Sequence, residues 1–371
     1  MTPEEFRTRF PMLERTVYLA SCSLGARSAD LDAALAAMLE AMAEHGAAWP
    51  VFEEQAELAR QRFAALIGAR PEQIALVPNA SIGAYQIAST IRVRDRPKIV
   101  LCDEEFPSLS HVWLAQRPRG VEVARVDASD PAALAAAVDR RTALVSVPAT
   151  TYRDGVRMPV AETAALAHAA GARVFVDAYQ ALGAEPVRVA ELDCDFLVGG
   201  TSKYLLGLPG LAFLYVREHS EDDLAPTLTG WFGRVDPFAF DPRRLDFPDA
   251  ARRFETGTPP VPALYAANAG LGLLAGIGPA AIREHVRELV RLTVAFLTEQ
   301  GEKTKTGGDP DRHGAHVALL DPDPARLAGH LAGRRVLISP RGDVGRIAFH
   351  YYNTTADVRR VCAEIARYRG R

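Results

Sequence analysis

Cysteine is scarce in this chain. Cys22, Cys102, Cys194 and Cys362 are the four in 371 residues. They are widely spaced and form no Cys-x-x-Cys pair, which argues against a disulfide framework and a cysteine-ligated metal centre. Cys102 and Cys194 lie in or beside apolar runs and read as buried thiols. An excess of one charge is also lacking. The formal net charge is −3, so nothing like a basic footprint points to nucleic acid or to an anionic membrane. No apolar run reaches the roughly 18 residues that a membrane span needs. The N-terminus, MTPEEFRTRFPML, is charged and has no apolar signal core. The expected location is therefore the cytoplasm. No internal repeat is visible. What the chain does have is length and apolar content, 48% hydrophobic against 24% charged. That suffices for one large domain and a smaller one.

The most informative stretch runs from Arg173 to Val216. It opens with an apolar strand, Val174–Asp177, that ends on a carboxylate. A second apolar strand, Phe196–Gly200, runs into Thr201-Ser202-Lys203. Apolar runs of this length bounded by glycine read as buried parallel strands. Ligands of open α/β sheets sit at the carboxyl ends of such strands. Asp177 and Lys203 would both lie there. Pyridoxal phosphate requires such a pair, a lysine for its Schiff base and an acid for its pyridine nitrogen. The amine must be neutral to attack the cofactor's aldehyde, so Lys203 should be desolvated. Gln180, three residues past Asp177, is placed to reach the ring hydroxyl. The alternative is a helix-capping Asp177 and a surface Lys203. The small, loop-like flanks TSKY and GLPG after apolar strands argue against it.

Elsewhere, strand and helix signals alternate at βαβ spacing. Residues 30–46 and 51–68 read as two helices. The strand Ile74–Pro78 breaks at Asn79-Ala-Ser-Ile-Gly, with a helix expected to start near Ala84. A turn of small residues that opens a helix is an anion site, because its first amides are unpaired; an ordinary N-cap is the other reading. Beyond Gly276, helices over 279–300 and 324–333 and strands near 316, 336 and 345 suggest a small α+β unit.

The segments DAYQALGAEPV and DFLVGGTSKY resemble the class V aminotransferase superfamily of fold-type I pyridoxal phosphate enzymes, which includes the cysteine desulfurases and kynureninases. The resemblance extends over nearly the whole chain. It implies an α/β fold: a large cofactor domain with a mostly parallel seven-stranded sheet flanked by helices, and a smaller α+β domain. The expected division is 1–30 as an N-terminal segment near the site, 31–275 as the cofactor domain and 276–371 as the small domain.

The resemblance also implies roles. Ser81, with Ala80 beside it, matches the threonine that grips the cofactor phosphate. Phe106, in Phe106-Pro107-Ser108, matches the ring-stacking aromatic of kynureninases. Thr201 and Ser202 precede the lysine and belong with the cofactor. The segment Gly230-Trp-Phe-Gly-Arg-Val-Asp-Pro-Phe-Ala-Phe is similar to a kynureninase pattern. It brings Trp231 near the cofactor or substrate and puts Arg234 where that pattern has histidine. Thr258 matches a threonine that reaches the phosphate of the neighbouring subunit, so a homodimer with shared sites is expected. Arg346, before a Y-N-T segment, matches the arginine for the substrate α-carboxylate, with Arg341 a second candidate. Tyr152 matches a kynureninase tyrosine. Cys22 stands in an SLG turn on the substrate side.

The expected activity is action on an L-amino acid through Lys203, most simply cleavage at a Cβ substituent. Transamination is the alternative. A desulfurase using Cys22, and an amino-acid epimerase, rank lower. The loop before Arg346 has no cysteine to serve as a desulfurase thiol. Gln180, Ser202, Arg234 and Ala149 depart from the kynureninase pattern and point to a changed substrate.

Overall fold

The computed structural model describes residues 1–218, 224–307 and 309–370. Eleven strands are present among them: β1 (Val17–Leu19), β2 (Ile74–Val77), β3 (Lys98–Cys102), β4 (Glu122–Val126), β5 (Thr142–Pro148), β6 (Arg173–Asp177), β7 (Phe196–Gly200), β8 (Ala212–Val216), β9 (His316–Leu320), β10 (Val336–Arg341) and β11 (Val344–Ala348). The α-helices are α1 (Pro3–Arg7), α2 (Ala29–His45), α3 (Trp49–Ile67), α4 (Ala80–Thr90), α5 (Pro107–Leu114), α6 (Pro131–Ala137), α7 (Val160–Ala169), α8 (Val189–Leu192), α9 (Val261–Ala275), α10 (Pro279–Glu299), α11 (Pro324–Ala332) and α12 (Thr355–Tyr368).

Strands β2 to β8 form one seven-stranded sheet in the order β2-β8-β7-β6-β5-β3-β4. Only β8 runs against its neighbours β2 and β7. The sequence expectation of a mostly parallel seven-stranded sheet holds. Its central strands are largely apolar because both faces are covered. On one face Phe63 of α3 stacks on Phe213 of β8, with centroids 4.2 Å apart. On the other, Trp113 of α5 meets Phe175 of β6 edge-on at 5.2 Å. Every residue of β7 and β8 is buried.

The second sheet has four strands in the order β1-β10-β11-β9. The N-terminal β1 pairs in parallel with β10 through Val17–Val336 and Leu19–Ile338. The chain's first residues are thus carried across to the C-terminal sheet. The same segment then returns to the lysine turn. Gly25 N–H donates to the Ser202 carbonyl at 2.8 Å, and a side-chain carbon at Gly25 would collide with the carbonyl of Lys203.

Helix α4 begins at Ala80, four residues earlier than the turn signal suggested. Asn79 is the reason. Its side chain accepts from the Ile82 amide at 3.0 Å, which closes the first turn at once.

Candidate active site

The carboxyl ends of β3, β5, β6 and β7 open into a cavity with about 730 Å³ of empty space, part of it open to solvent. Asp177, Lys203, Phe106, Gln180, Ala80 and Ser81 all line it. Residues spread over more than a hundred positions converge because successive parallel strands deliver their carboxyl ends to one edge.

Asp177 ends β6 and is 6% exposed. Its Oδ1 accepts from the Tyr179 amide at 2.8 Å. Burial pushes this carboxyl above the usual range, and the Tyr179 amide and Lys203 pull it back. Lys203 follows β7. Burial pushes its amine down to about 8, against the pull of Asp177 and Cys22. The amine lies 4.6 Å from the centre of the Tyr179 ring and 5.6 Å from that of Phe106. Phe106 meets Tyr152 edge-on at 5.2 Å. Tyr179 was not foreseen. Its signal was its place in the turn directly after the strand-ending acid. Its hydroxyl lies 3.4 Å from the hydroxyl of Ser202.

The donor set fits pyridoxal phosphate. The amides of Ala80 and Ser81 sit in the first turn of α4, where no earlier helical carbonyl is available to them. Gln180 donates from Nε2 to the carbonyl of Cys22 at 3.1 Å. Its Oε1 is buried and has no partner among the described residues. A buried amide oxygen left unpaired is costly, and a ring hydroxyl would satisfy it.

Arg346 stands on the four-stranded sheet; it, Arg341 and Cys22 are not among the residues that line the cavity, and Arg346 meets it through the backbone of the lining residue Tyr152. Ser339 of β10 and Ala318 of β9 both pair with Arg346. Side chains alternate along strands, so Ser339, Arg346 and His316 share one face, as does Arg341 two residues beyond Ser339. Arg346 is 1% exposed. It donates to the Tyr152 carbonyl and to the Ser339 hydroxyl, both at 2.7 Å. Arg341 is exposed at the end of β10, and its charge, like that of Arg346, is felt at Lys203. Cys22 is buried and interacts electrostatically with the Lys203 amine.

Other expected residues fall elsewhere. Thr201 is fully buried, and its hydroxyl donates to the carbonyls of Leu208 and Leu211 at 2.6 and 3.2 Å. It ties down the loop after β7 and is not turned to the cavity. Arg234 is held by Asp246 at 3.3 Å and donates to the Asp241 carbonyl. That cation is spent inside its own loop and not on a substrate. Trp231 and Thr258 do not line the cavity of their own chain. Trp231 packs among Trp49, Phe232, Phe238 and Phe240. Thr258 is exposed.

Residues 43–361 match the family model for class-V aminotransferases. The chain belongs to that family, it is an enzyme, and its cofactor is pyridoxal phosphate. It is 37% identical over 366 residues to a Bacillus subtilis (strain 168) protein described as the uncharacterized aminotransferase YcbU, covering 98% of this chain and 97% of that one. It is 29% identical over 355 residues to the kynureninase of Pseudomonas fluorescens, covering 89% and 83%. A solved structure of C-DES with glycine covalently linked to its pyridoxal phosphate shares the fold, with a TM-score of 0.90, 20% identity, and 97% and 98% coverage.

Proposed function

We propose that this enzyme acts on an L-amino acid through a Schiff base at Lys203 and breaks a bond to a Cβ substituent, in the manner of kynureninase or a C–S lyase. The observation that carries the reading is the convergence of Lys203, Asp177 and the unpaired Gln180 Oε1 on one cavity. Pyridoxal phosphate, when bound, supplies an electron sink for the pair left at Cα.

The chain's own residues supply the rest. Asp177 would hold the cofactor's pyridine nitrogen and favour its protonated form. Phe106 offers its ring face to the cofactor. The amides of Ala80 and Ser81, with the Ser81 hydroxyl, take the phosphate. Ser202 shares the cavity wall with Lys203. Arg346 forks the α-carboxylate of the substrate, because a buried guanidinium pre-set by Tyr152 and Ser339 loses little entropy on binding. Lys203, whose amine burial disfavours as an ammonium, would take the proton from Cα. Residues 31–275 would form the cofactor domain and 276–371, with 1–30, the small one.

Cβ cleavage is favoured by the Phe106-Pro107-Ser108 and Gly230-Trp231 segments and by the kynureninase relative. Desulfurase chemistry fits less well. The β10–β11 turn has no cysteine, and Cys22 is 1% exposed. Transamination is the second reading, supported by the relative described as an aminotransferase.

The enzyme would work in the cytoplasm as a homodimer. Phe238 and Phe240, 44% and 68% exposed beside Trp231, are the surface a second copy would cover. Thr258 would then reach the partner's phosphate site.

The test is a single turnover with kynurenine, cysteine, cysteine sulfinate, aspartate and glutamate, read by mass spectrometry of product and cofactor. Alanine with the cofactor unchanged supports Cβ cleavage. A keto acid with pyridoxamine phosphate rejects it in favour of transamination.

A further inference from the structure

A second buried carboxyl lies behind Asp177. Glu105, in the turn between β3 and α5, is 3% exposed. Its Oε1 accepts from the Phe106 amide at 3.0 Å. Its Oε2 accepts from the Ser146 hydroxyl at 2.8 Å, and that hydroxyl accepts from Trp113 Nε1–H at 3.0 Å. A continuous hydrogen-bonded line therefore runs from the core of the large sheet to the backbone of Phe106. Ser146 is two residues before Pro148, the β5 residue that pairs with Asp177.

We propose that Glu105 is a positioning residue of the cofactor site: it fixes Phe106 over the cofactor ring, and it holds a proton so that Asp177 carries the negative charge the pyridine N–H requires. The inference rests on the cofactor site described above.

The physical reason is that the charge of Asp177 acts on Glu105, and two buried carboxylates that interact cannot both ionise cheaply. Their surroundings decide which one does. Asp177 faces the Lys203 amine from the β7–β8 turn. Glu105 has no cationic partner among the described residues. It faces Asp177 from β6, the Cys102 thiol from β3, the Ser146 hydroxyl from β5 and the Trp113 side of α5, with Glu104 next to it in sequence. Burial and the charge of Asp177 push Glu105 up to about 8, while Ser146 and the Phe106 amide pull it back. Burial holds the Cys102 thiol at about 12, so that group stays neutral alongside it. Below about pH 8 the proton therefore stays on Glu105, where Oε2–H donates to Ser146 Oγ across the same 2.8 Å contact that the carboxylate accepts. Above it, a second negative charge appears beside Asp177 and stabilises the protonated form of the cofactor.

The test uses the holoenzyme and two readouts. One is the pH titration of the bound cofactor's absorbance between pH 6 and 10. The other is cofactor affinity at pH 7 by equilibrium dialysis. Glu105→Gln cannot ionise, so the titration should collapse to a single step with a lower midpoint than wild type. Ser146→Ala keeps the carboxyl but removes a donor to its charged form, so its midpoint should move the same way. Glu105→Ala also loses the acceptor for the Phe106 amide. It should bind the cofactor roughly tenfold more weakly, the scale of one buried hydrogen bond, and Glu105→Gln should restore that affinity. Titrations of Glu105→Gln and Ser146→Ala that superimpose on wild type would overturn the proposal, as would wild-type affinity in Glu105→Ala. Should Glu105→Ala not fold, the other two variants decide. Lys203→Ala is the control. If it keeps the Schiff-base absorbance, the cofactor-site reading is at fault. If it loses that absorbance while the Glu105 and Ser146 variants behave as wild type, only the role of Glu105 fails.

Discussion

Arg346 Nη1 donates to the carbonyl of Tyr152 at 2.7 Å, and this bond joins the four-stranded sheet to the loop after β5. The same guanidinium donates to Ser339 on the neighbouring strand. Its direction is thus set before any substrate arrives. Tyr152 in turn stands edge-on to Phe106, so the arm proposed to bind the carboxylate and the ring proposed to stack on the cofactor share one support.

Replacing Arg346 by lysine keeps the charge and loses the fork. KM for the amino acid should rise about tenfold or more, with a smaller change in kcat. Steady-state kinetics on the best substrate of the panel checks this. An unchanged KM would move the carboxylate contact to Arg341.

The Lys203 amine titrates near 8 in the cofactor-free protein, below its ordinary 10.5, because burial disfavours the ammonium. Only the neutral amine attacks an aldehyde. The rate of cofactor capture should therefore climb with pH and level off above about 8. Asp177 raises that value, so Asp177→Asn should shift the profile to lower pH. The sign for stability follows. Between about 8 and 10.5 the unfolded chain holds a proton on this lysine that the folded one has released, so cofactor-free stability gains from Lys203 as pH rises through that window. Stopped-flow absorbance and urea melts at several pH values read the two effects. A capture rate flat from pH 6 to 10 would contradict the burial of the amine.

Gly25 touches the carbonyl of Lys203 closely enough to leave no room for a side chain. Gly25→Ala must push the lysine turn away from the N-terminal segment. The expected loss is about 1–3 kcal/mol, the usual cost of overpacking. A shifted absorbance of the bound cofactor should accompany it. Thermal melts and spectra of the variant report both, and a variant identical to wild type in each would show that the contact is not tight in solution.

Phe240 is 68% exposed in a cluster of aromatic rings around Trp231. Phe240→Asp should convert the proposed homodimer to monomer in sedimentation velocity. Activity should fall with it, because Thr258 would no longer reach a partner's site. A wild-type sedimentation profile would place the subunit contact elsewhere.

The order of strands and helices could be read from the chain itself. Apolar runs of β6 and β7 bounded by glycine, and the acid and lysine at their ends, made the sheet and the centre of the site legible. The start of α4 is not legible in the turn signal, because small polar residues suit a turn and a cap alike and only the Asn79–Ile82 bond separates the two. For Thr201 and Arg234 a motif places the residue in sequence but does not show where its polar atoms find partners. Both found them in their own loops. Tyr179 and Glu105 were missed because neither stands out beside stronger signals.

The sequence by itself determined the periodicity of the elements, the presence of an acid and a lysine at the ends of neighbouring strands, and the family. Those depend on residue type and on spacing along the chain. Only the tertiary structure decided that Gln180 keeps an unpaired oxygen, that Arg346 is aimed by Tyr152, and that Glu105 lies close enough to Asp177 to compete for charge. Burial, hydrogen-bond satisfaction and the energy between charges depend on distances through space, and these are set only when the two sheets pack against each other.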